Sequence, residues 1–66
     1  MNNLQRYRKL KKLTQYDLSK ITNIPFDTIR NIENNTIIPL RKDAQKLSNA
    51  LDIPFYKIFS VVEQER

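Results

Sequence analysis

Residues 14–35, TQYDLSKITNIPFDTIRNIENN, constrain the fold more than any other segment, because they predict two short helices with almost nothing between them. The first helix is expected from about 14 to 22 and the second from about 26 to 34. Between them, Asn23 suits a left-handed backbone at a helix end, and Pro25 suits a helix start, where an N–H has no partner. The candidate buried residues of the two helices are Leu18, Ile21, Ile29 and Ile32.

A helix pair with so short a link is a helix-turn-helix, whose second helix can enter the major groove of DNA. The two buried isoleucines leave the N-terminal and outer positions of that helix in solvent. Asparagine can pair with adenine, arginine with guanine, aspartate can accept from cytosine, and an aromatic ring can contact a thymine methyl. The candidate base-contacting residues on this face are Phe26, Asp27, Arg30 and Asn31. The alternative for Asp27 is a favourable charge at a helix N-terminus.

Polar residues at two helix starts are candidates for binding DNA phosphates. Thr14 is a good N-cap, and Asp17 three residues later completes something close to a capping box. Gln15 could hold a phosphate beside the backbone amides of the same turn, or be an ordinary exposed glutamine. Arg41 and Lys42 open a fourth predicted helix, where they could also bind phosphates or be merely solvated.

Two charged residues are candidates for an internal ion pair. A first helix is expected over residues 2–11, with Leu4 and Tyr7 on its buried stripe and Arg8 beside it. Glu33 lies on the inner side of the helix predicted from 26 to 34. A buried arginine–glutamate pair often adds little net stability, but loss of one partner is costly. The alternative is two unrelated surface charges.

The C-terminal half is expected to form an apolar loop and two more helices. Pro39 blocks helix formation and pins residues 37–40 against the core. A fourth helix is predicted from about 41 to 51, with Ala44, Leu47, Ser48 and Leu51 inward. A fifth, from about 54 to 62, has more apolar residues than one buried face needs, so we expect part of it to meet another chain. The candidate dimer contacts are Phe55, Tyr56, Val61 and Val62.

Composition excludes several classes of function. Residues 1–66 are expected to form a single domain, and a domain of this size buries only about 60% of its unfolded surface. Cysteine and histidine are absent, which removes disulfides, thiolate chemistry and the commonest metal ligand. No glycine-rich phosphate loop and no acid pair for catalysis is present. We therefore expect no enzyme activity, no catalytic residue, no metal site and no cofactor.

The charge of the chain favours a polyanionic partner. The net charge is +5, and five of the twelve basic residues precede the first acid. Such a surface binds nucleic acid or an anionic membrane, although a basic helix can also be simply solvated. No apolar run approaches the ~20 residues that span a bilayer, and the N-terminus lacks a secretory signal. We expect a cytoplasmic protein with no membrane partner and see no internal repeat.

Motif residues are spread over nearly the whole chain. They are Leu4, Tyr7, Arg8, Leu13, Thr14, Gln15, Leu18, Ser19, Ile24, Thr28, Ile29, Ile32, Glu33, Asn34, Pro39, Leu47, Ala50, Leu51, Ile53, Ile58 and Phe59. With this framework the chain resembles the lambda-repressor-like DNA-binding domains, also called the Xre or Cro/C1 helix-turn-helix family, over about residues 4–59. The resemblance implies an all-α fold of five helices. It also implies sequence-specific binding, as a homodimer, to an operator with two-fold symmetry.

The resemblance implies roles for single residues as well. The positions that bind phosphate in the family match Gln15 and Asn34. The base-contacting positions match Phe26, Asp27 and Asn31, helped by those of Thr28 and Arg30. A structural ion pair of some members matches Arg8 and Glu33. The chain departs from the family at its usual glycines, where it has Lys12, Asn23, Asn35 and Asp52. Asparagine and aspartate tolerate a left-handed backbone, whereas lysine does so less well, at roughly 1 kcal/mol. Ser19 stands where alanine is usual, and Pro25 replaces the usual serine cap.

The leading hypothesis is a DNA-binding transcriptional regulator, a repressor of bacterial, plasmid or phage origin. The alternative is an interaction module, such as an antitoxin, that binds a regulatory partner protein through its apolar fifth helix. Salt separates the two, because DNA binding releases counterions and weakens steeply with salt, whereas an apolar protein contact does not.

Overall fold

The computed structural model describes residues 2–63, and over that range it contains five α-helices and no strand. In chain order they are α1 (Leu4–Leu10), α2 (Gln15–Thr22), α3 (Phe26–Glu33), α4 (Arg41–Leu51) and α5 (Phe55–Ile58). The predicted all-α fold of five helices is confirmed, and the first four helices lie where the sequence places them. The predicted fifth helix is wrong in length, since α5 has one turn only.

One apolar core joins the helices. Helix α2 packs on both α3 and α4, α1 packs on α3, and α5 packs on α4. The buried members of the core are Leu4, Leu18, Ile24, Ile29, Ile32, Ala44, Leu47, Leu51, Ile58 and Phe59. All inward positions predicted for α3 and α4 are buried, and so is Pro39 in the loop between them. The 3.6-residue period therefore identified both helix faces correctly.

The predicted inward position of Ile21 is wrong. Its side chain is 57% exposed, while the next residue, Thr22, is buried. The Thr22 hydroxyl donates to the carbonyl oxygen of Leu18 and accepts from the backbone N–H of Ile24. These two bonds satisfy the buried hydroxyl of Thr22. Ile24, and not Ile21, fills the core position beside the turn.

Four residues without glycine's freedom adopt a left-handed backbone. Their φ angles are 58° at Lys12, 61° at Asn23, 60° at Asn35 and 57° at Asp52. Each ends a helix or the turn after one, the place where the family's usual glycine would allow this conformation. The chain thus makes the same turns without glycine, and only Lys12 lacks a short polar side chain that tolerates them.

One turn occurs twice, at residues 19–29 and 48–58, so the expectation of no internal repeat is wrong. In both copies a serine hydroxyl donates to an isoleucine carbonyl oxygen five residues later. The left-handed residue ends one helix, and a proline precedes the first residue of the next. The paired positions are Ser19 and Ser48, Asn23 and Asp52, Ile24 and Ile53, Pro25 and Pro54, Phe26 and Phe55, and Ile29 and Ile58.

The segment after α5 is extended rather than helical. Phe59 has φ −124° and ψ 131°, and residues 40 and 63 form an isolated parallel bridge. The N–H of Glu63 donates to the carbonyl of Pro39 at 2.8 Å, and its carbonyl accepts from the N–H of Arg41 at 2.9 Å. The adjacent β-branched residues, Val61 and Val62, favour this extended backbone over helix.

Candidate nucleic-acid interface

The outer face of α3 carries most of the candidate base-contacting residues. At 100° per residue, the side chains of Phe26, Asp27, Arg30, Asn31 and Asn34 fall within an arc of about 140°. The opposite side is occupied by two isoleucines with no exposed surface. Helix α3 is therefore held by one face and offers the other, which is rich in hydrogen-bonding groups, to solvent.

Thr28 lies apart from this face. It is half-buried, as is Asn31, whereas Phe26, Asp27 and Arg30 are exposed. Its direction on the helix is about 100° from that of Asp27 and further from that of Phe26. The structure thus brings together four of the five candidate base-contacting residues and leaves Thr28 at the edge of the group.

Asp27 and Arg30 form an exposed ion pair across one turn of α3. Nη2 of Arg30 and Oδ1 of Asp27 are 3.5 Å apart, and the side chains of Arg30 and Asp27 are 53% and 79% exposed. Exposed pairs of this kind contribute about 0–1 kcal/mol. Arg30 can therefore leave Asp27 for another acceptor at little cost, while Asp27 has a basic neighbour that reduces its repulsion of an anion.

A buried polar network connects α3 to α1 and α2. Arg8 donates through Nε to Oε2 of Glu33 at 2.6 Å and through Nη2 to Oε1 at 3.1 Å. Its Nη1 donates to the carbonyl oxygen of Leu13 at 2.7 Å. The side chains of Arg8 and Glu33 are 8% and 2% exposed. The expected ion pair is therefore present, with the two-bond geometry that suits arginine and a carboxylate.

Gln15, a candidate phosphate ligand, belongs to the same network. Its Nε2 donates to Oε1 of Glu33 at 3.0 Å, and the side chain is half-buried. It is therefore not an ordinary exposed glutamine. The residue begins α2 at the end of the helix where backbone N–H groups lack intrahelical partners.

The start of α2 is closed by the predicted capping box. Thr14 Oγ1 accepts from the N–H of Asp17 at 2.9 Å, and Asp17 Oδ2 accepts from the N–H of Thr14 at 3.0 Å. The bond from the backbone N–H of Thr14 to the Asp17 carboxylate is the main reason that the pKa of Asp17 lies below its ordinary value of 3.8, and the Thr14 hydroxyl lowers the pKa further. The acid is therefore ionised at neutral pH and fixes the geometry of the turn that contains Gln15.

The remaining candidate phosphate ligands are at the surface. Asn34 is the exposed C-cap of α3, and Arg41 and Lys42 are the exposed first residues of α4. The backbone of Arg41 is fixed by its hydrogen bond to Glu63, so the start of α4 is held in place.

A family model described as helix-turn-helix, HTH_3, matches residues 4–58, which is most of the chain. The chain belongs to the Cro/C1-type helix-turn-helix family. The resemblance to lambda-repressor-like domains is thereby confirmed, and the protein is a DNA-binding helix-turn-helix regulator. No curated protein is similar enough to be matched.

The candidate dimer contacts of this helix-turn-helix protein divide into two kinds. Tyr56 and Val61 are 69% and 62% exposed, whereas Phe55 and Val62 pack partly buried against the core. Val61 and Val62 lie on the extended segment, not on α5. The four residues therefore do not form one helix face, and only two of them offer apolar surface to a partner.

An uncharged groove lies beside Val61. It has a volume of about 190 Å³ between the α3–α4 loop and the extended segment. The lining residues are Asn2, Asn35, Ile37, Ile38, Pro39, Phe59, Ser60 and Val61. The sequence predicted the apolar loop but not the groove, because the second wall is the segment that was expected to be helical.

Asn2 is a structural residue of the helix-turn-helix unit that the sequence did not reveal. Its Nδ2 donates to the carbonyl of Ile32 at 2.7 Å and to Oδ1 of Asn35 at 3.0 Å. Asn2 thus satisfies the C-terminal end of α3 from 30 residues away in sequence. No periodic or capping signal marks such a contact.

Two kinds of feature are absent from residues 2–63. None of the helices in that range has the length and apolar character needed to cross a membrane. Within the same range, no group of three or more acidic, histidine or cysteine residues is placed to hold a metal ion.

Proposed function

We propose that this protein is a sequence-specific repressor that binds a palindromic DNA operator as a homodimer. The observation that carries the proposal is α3, whose inner face is fully buried and whose outer face groups Phe26, Asp27, Arg30 and Asn31. Asn31 and Arg30 can form bidentate bonds to adenine and guanine, and each good pair discriminates by about 1–3 kcal/mol. Thr28 assists from the edge of this face.

Backbone phosphates would be bound on both sides of α3. Gln15 stands at the start of α2, and Asn34, Arg41 and Lys42 follow α3 in the chain. Arginine and lysine contacts to phosphate release counterions and supply affinity that does not depend on base sequence. The net charge of +5 favours the same partner. Occupation of a promoter is sufficient for repression, so the proposed regulator needs no further activity.

The proposed dimer joins two copies through the exposed Tyr56 and through Val61 with the uncharged groove that it lines. Two molecules with a net charge of +5 repel each other, and a contact surface without charged residues adds least to this repulsion. The groove lining contains no charged residue, and Ile37, Ile38 and Val61 remain 41%, 52% and 62% exposed. An isologous pair with two-fold symmetry would place two α3 helices on half-sites about 34 Å apart.

Selection of bound duplexes from a random DNA library is the test of DNA recognition. We expect a palindromic consensus with half-sites one helical turn apart, and an affinity that falls steeply between two salt concentrations. Arg41→Ala should weaken every site alike and reduce the salt slope by about 1, whereas Asn31→Ala should relax the choice of base at one position. Enrichment without any consensus would refute sequence-specific binding.

Sedimentation of Tyr56→Asp/Val61→Asp tests the dimer. Both side chains are exposed, so the monomer should stay folded, but two buried carboxylates per copy should prevent association. We expect a folded monomer whose affinity for a full operator is much lower than that of the native dimer. Tyr56→Phe with Val61→Ile is the matched control and should remain dimeric. A monomer with unchanged operator affinity would eliminate this interface.

A further inference from the structure

The carboxylate of Glu33 accepts three N–H groups, and only two of them come from its ion-pair partner. Oε2 accepts from Nε of Arg8, while Oε1 accepts from Nη2 of Arg8 and from Nε2 of Gln15. The Glu33 side chain is 2% exposed and its charge is balanced by Arg8. The carboxylate can therefore lie next to a phosphate-binding position without presenting an open negative charge to DNA.

This arrangement fixes the orientation of the Gln15 amide. An ionised carboxylate is only an acceptor, so the amide nitrogen and not the amide oxygen must face Glu33. A primary amide has two N–H groups in one plane. One of them is used on Glu33, and the other points away from the carboxylate, at the end of α2 that favours anions.

We propose that Glu33 is a positioning residue for DNA-backbone binding: it holds Gln15, before DNA arrives, in the orientation that leaves one N–H for a phosphate oxygen. The inference rests on the proposed DNA binding and on the phosphate contact of Gln15. A free glutamine must lose rotamer freedom when it binds, whereas Gln15 has already lost much of it in the folded protein. Glu33, at the end of α3, thus bonds Arg8 of α1 and Gln15 at the start of α2, so three helices hold the side chain that contacts the phosphate.

A double-mutant cycle in DNA binding tests the proposal. The Arg8→Met/Glu33→Met background replaces the buried pair by apolar side chains of similar length, a change that small domains often tolerate. We expect Gln15→Ala to weaken binding to the selected operator by roughly threefold to tenfold in the native protein. In the Met/Met background the same substitution should change affinity by less than about twofold, because Gln15 is no longer held.

A purely structural ion pair gives a different result. Gln15→Ala would then weaken binding by the same factor in both backgrounds, and that outcome would overturn the proposal. An unchanged affinity on Gln15→Ala in the native protein would overturn it too. If the native protein selects no operator, the proposed function itself fails, and the two failures are thus distinguishable. The salt slope should stay constant throughout, since Gln15 is neutral and releases no counterion.

Side-chain amide NMR of the free protein gives an independent measurement. The two Nε2 protons of Gln15 should belong to a rigid group in the native protein and to a mobile one in the Met/Met background, where residue 33 offers no acceptor. Thermal unfolding confirms that each variant is folded at the assay temperature, and the Gln15 amide of the native protein decides the proposal if the Met/Met background is not. A mobile Gln15 amide in the free native protein contradicts the proposal.

Discussion

Lys12 has a backbone conformation that lysine adopts only at a free-energy cost. Its φ is 58°, and its N–H donates to the carbonyl of Lys9 at 2.9 Å, so the join between α1 and α2 imposes this conformation. A left-handed residue with a Cβ atom is less stable by about 1–2 kcal/mol, a penalty that glycine avoids. Glycine also adds freedom to the unfolded chain, which removes about 0.4–1 kcal/mol of the gain. We expect Lys12→Gly to raise the free energy of unfolding by about 0.5–1 kcal/mol.

Lys12→Ala is the matched control, because it removes the same charge and retains the Cβ atom. Lys12 is exposed, so this control should change stability by less than about 0.5 kcal/mol. Urea unfolding followed by circular dichroism measures both variants, and the glycine variant should also melt roughly 2–8 °C higher. Asn23→Gly should gain less than Lys12→Gly, since asparagine tolerates φ 61°.

The informative quantity is the difference between the glycine and alanine variants. If Lys12→Gly is no more stable than Lys12→Ala, the strain of the left-handed backbone at this position does not exceed the roughly 0.4–1 kcal/mol that glycine's freedom in the unfolded chain removes. The expected gain from glycine would then be refuted at Lys12, the one left-handed residue without a short polar side chain.

Three further results are expected. Ser19→Ala and Ser48→Ala should each lower the free energy of unfolding by about 1 kcal/mol in urea titrations, because each removes the same hydroxyl-to-carbonyl bond in the repeated turn. The hydrogen bond from the N–H of Thr14 lowers the pKa of Asp17 and so stabilises the folded state. This stabilisation is fully present above about pH 3.8, the ordinary pKa, and is lost as pH falls through the lower pKa of the folded state. Asp17→Asn should therefore flatten the acid limb of a stability–pH curve. Glu63→Pro removes the N–H that donates to the loop carbonyl, so it should destabilise the protein more than Glu63→Ala by about 0.5–1.5 kcal/mol on thermal unfolding.

Local signals in the sequence predicted most of the helix-turn-helix unit. The faces of α3 and α4, the capping box and the left-handed residues each depend on neighbours within about four positions, where period and residue type are sufficient. The predicted burial of Ile21 was wrong because it depended only on the helical period, which places Ile21 on the same face as Leu18. The hydroxyl of Thr22, which binds within its own turn, occupies the buried position instead.

The candidate site was predictable only in part, for a related reason. The Arg8–Glu33 pair was expected from residue type and from the buried side of each helix. The bond from Gln15 to Glu33 depends on how the start of α2 lies against the end of α3, which no local pattern gives. The contacts of Asn2 with the end of α3 are equally non-local.

The extended segment after α5 links the fold to the proposed dimer. The sequence predicts these apolar residues on a helix that in part meets another chain, but the structure divides them along an extended segment: Phe59 and Val62 close the core, while Val61 lines the groove. The groove has the α3–α4 loop as one wall and this segment as the other, and the two are joined by the backbone bonds of Glu63. A substitution that breaks these bonds therefore removes one wall of the proposed interface. For this reason we expect Glu63→Pro to weaken dimerisation as well as stability, whereas Ser19→Ala should affect stability alone.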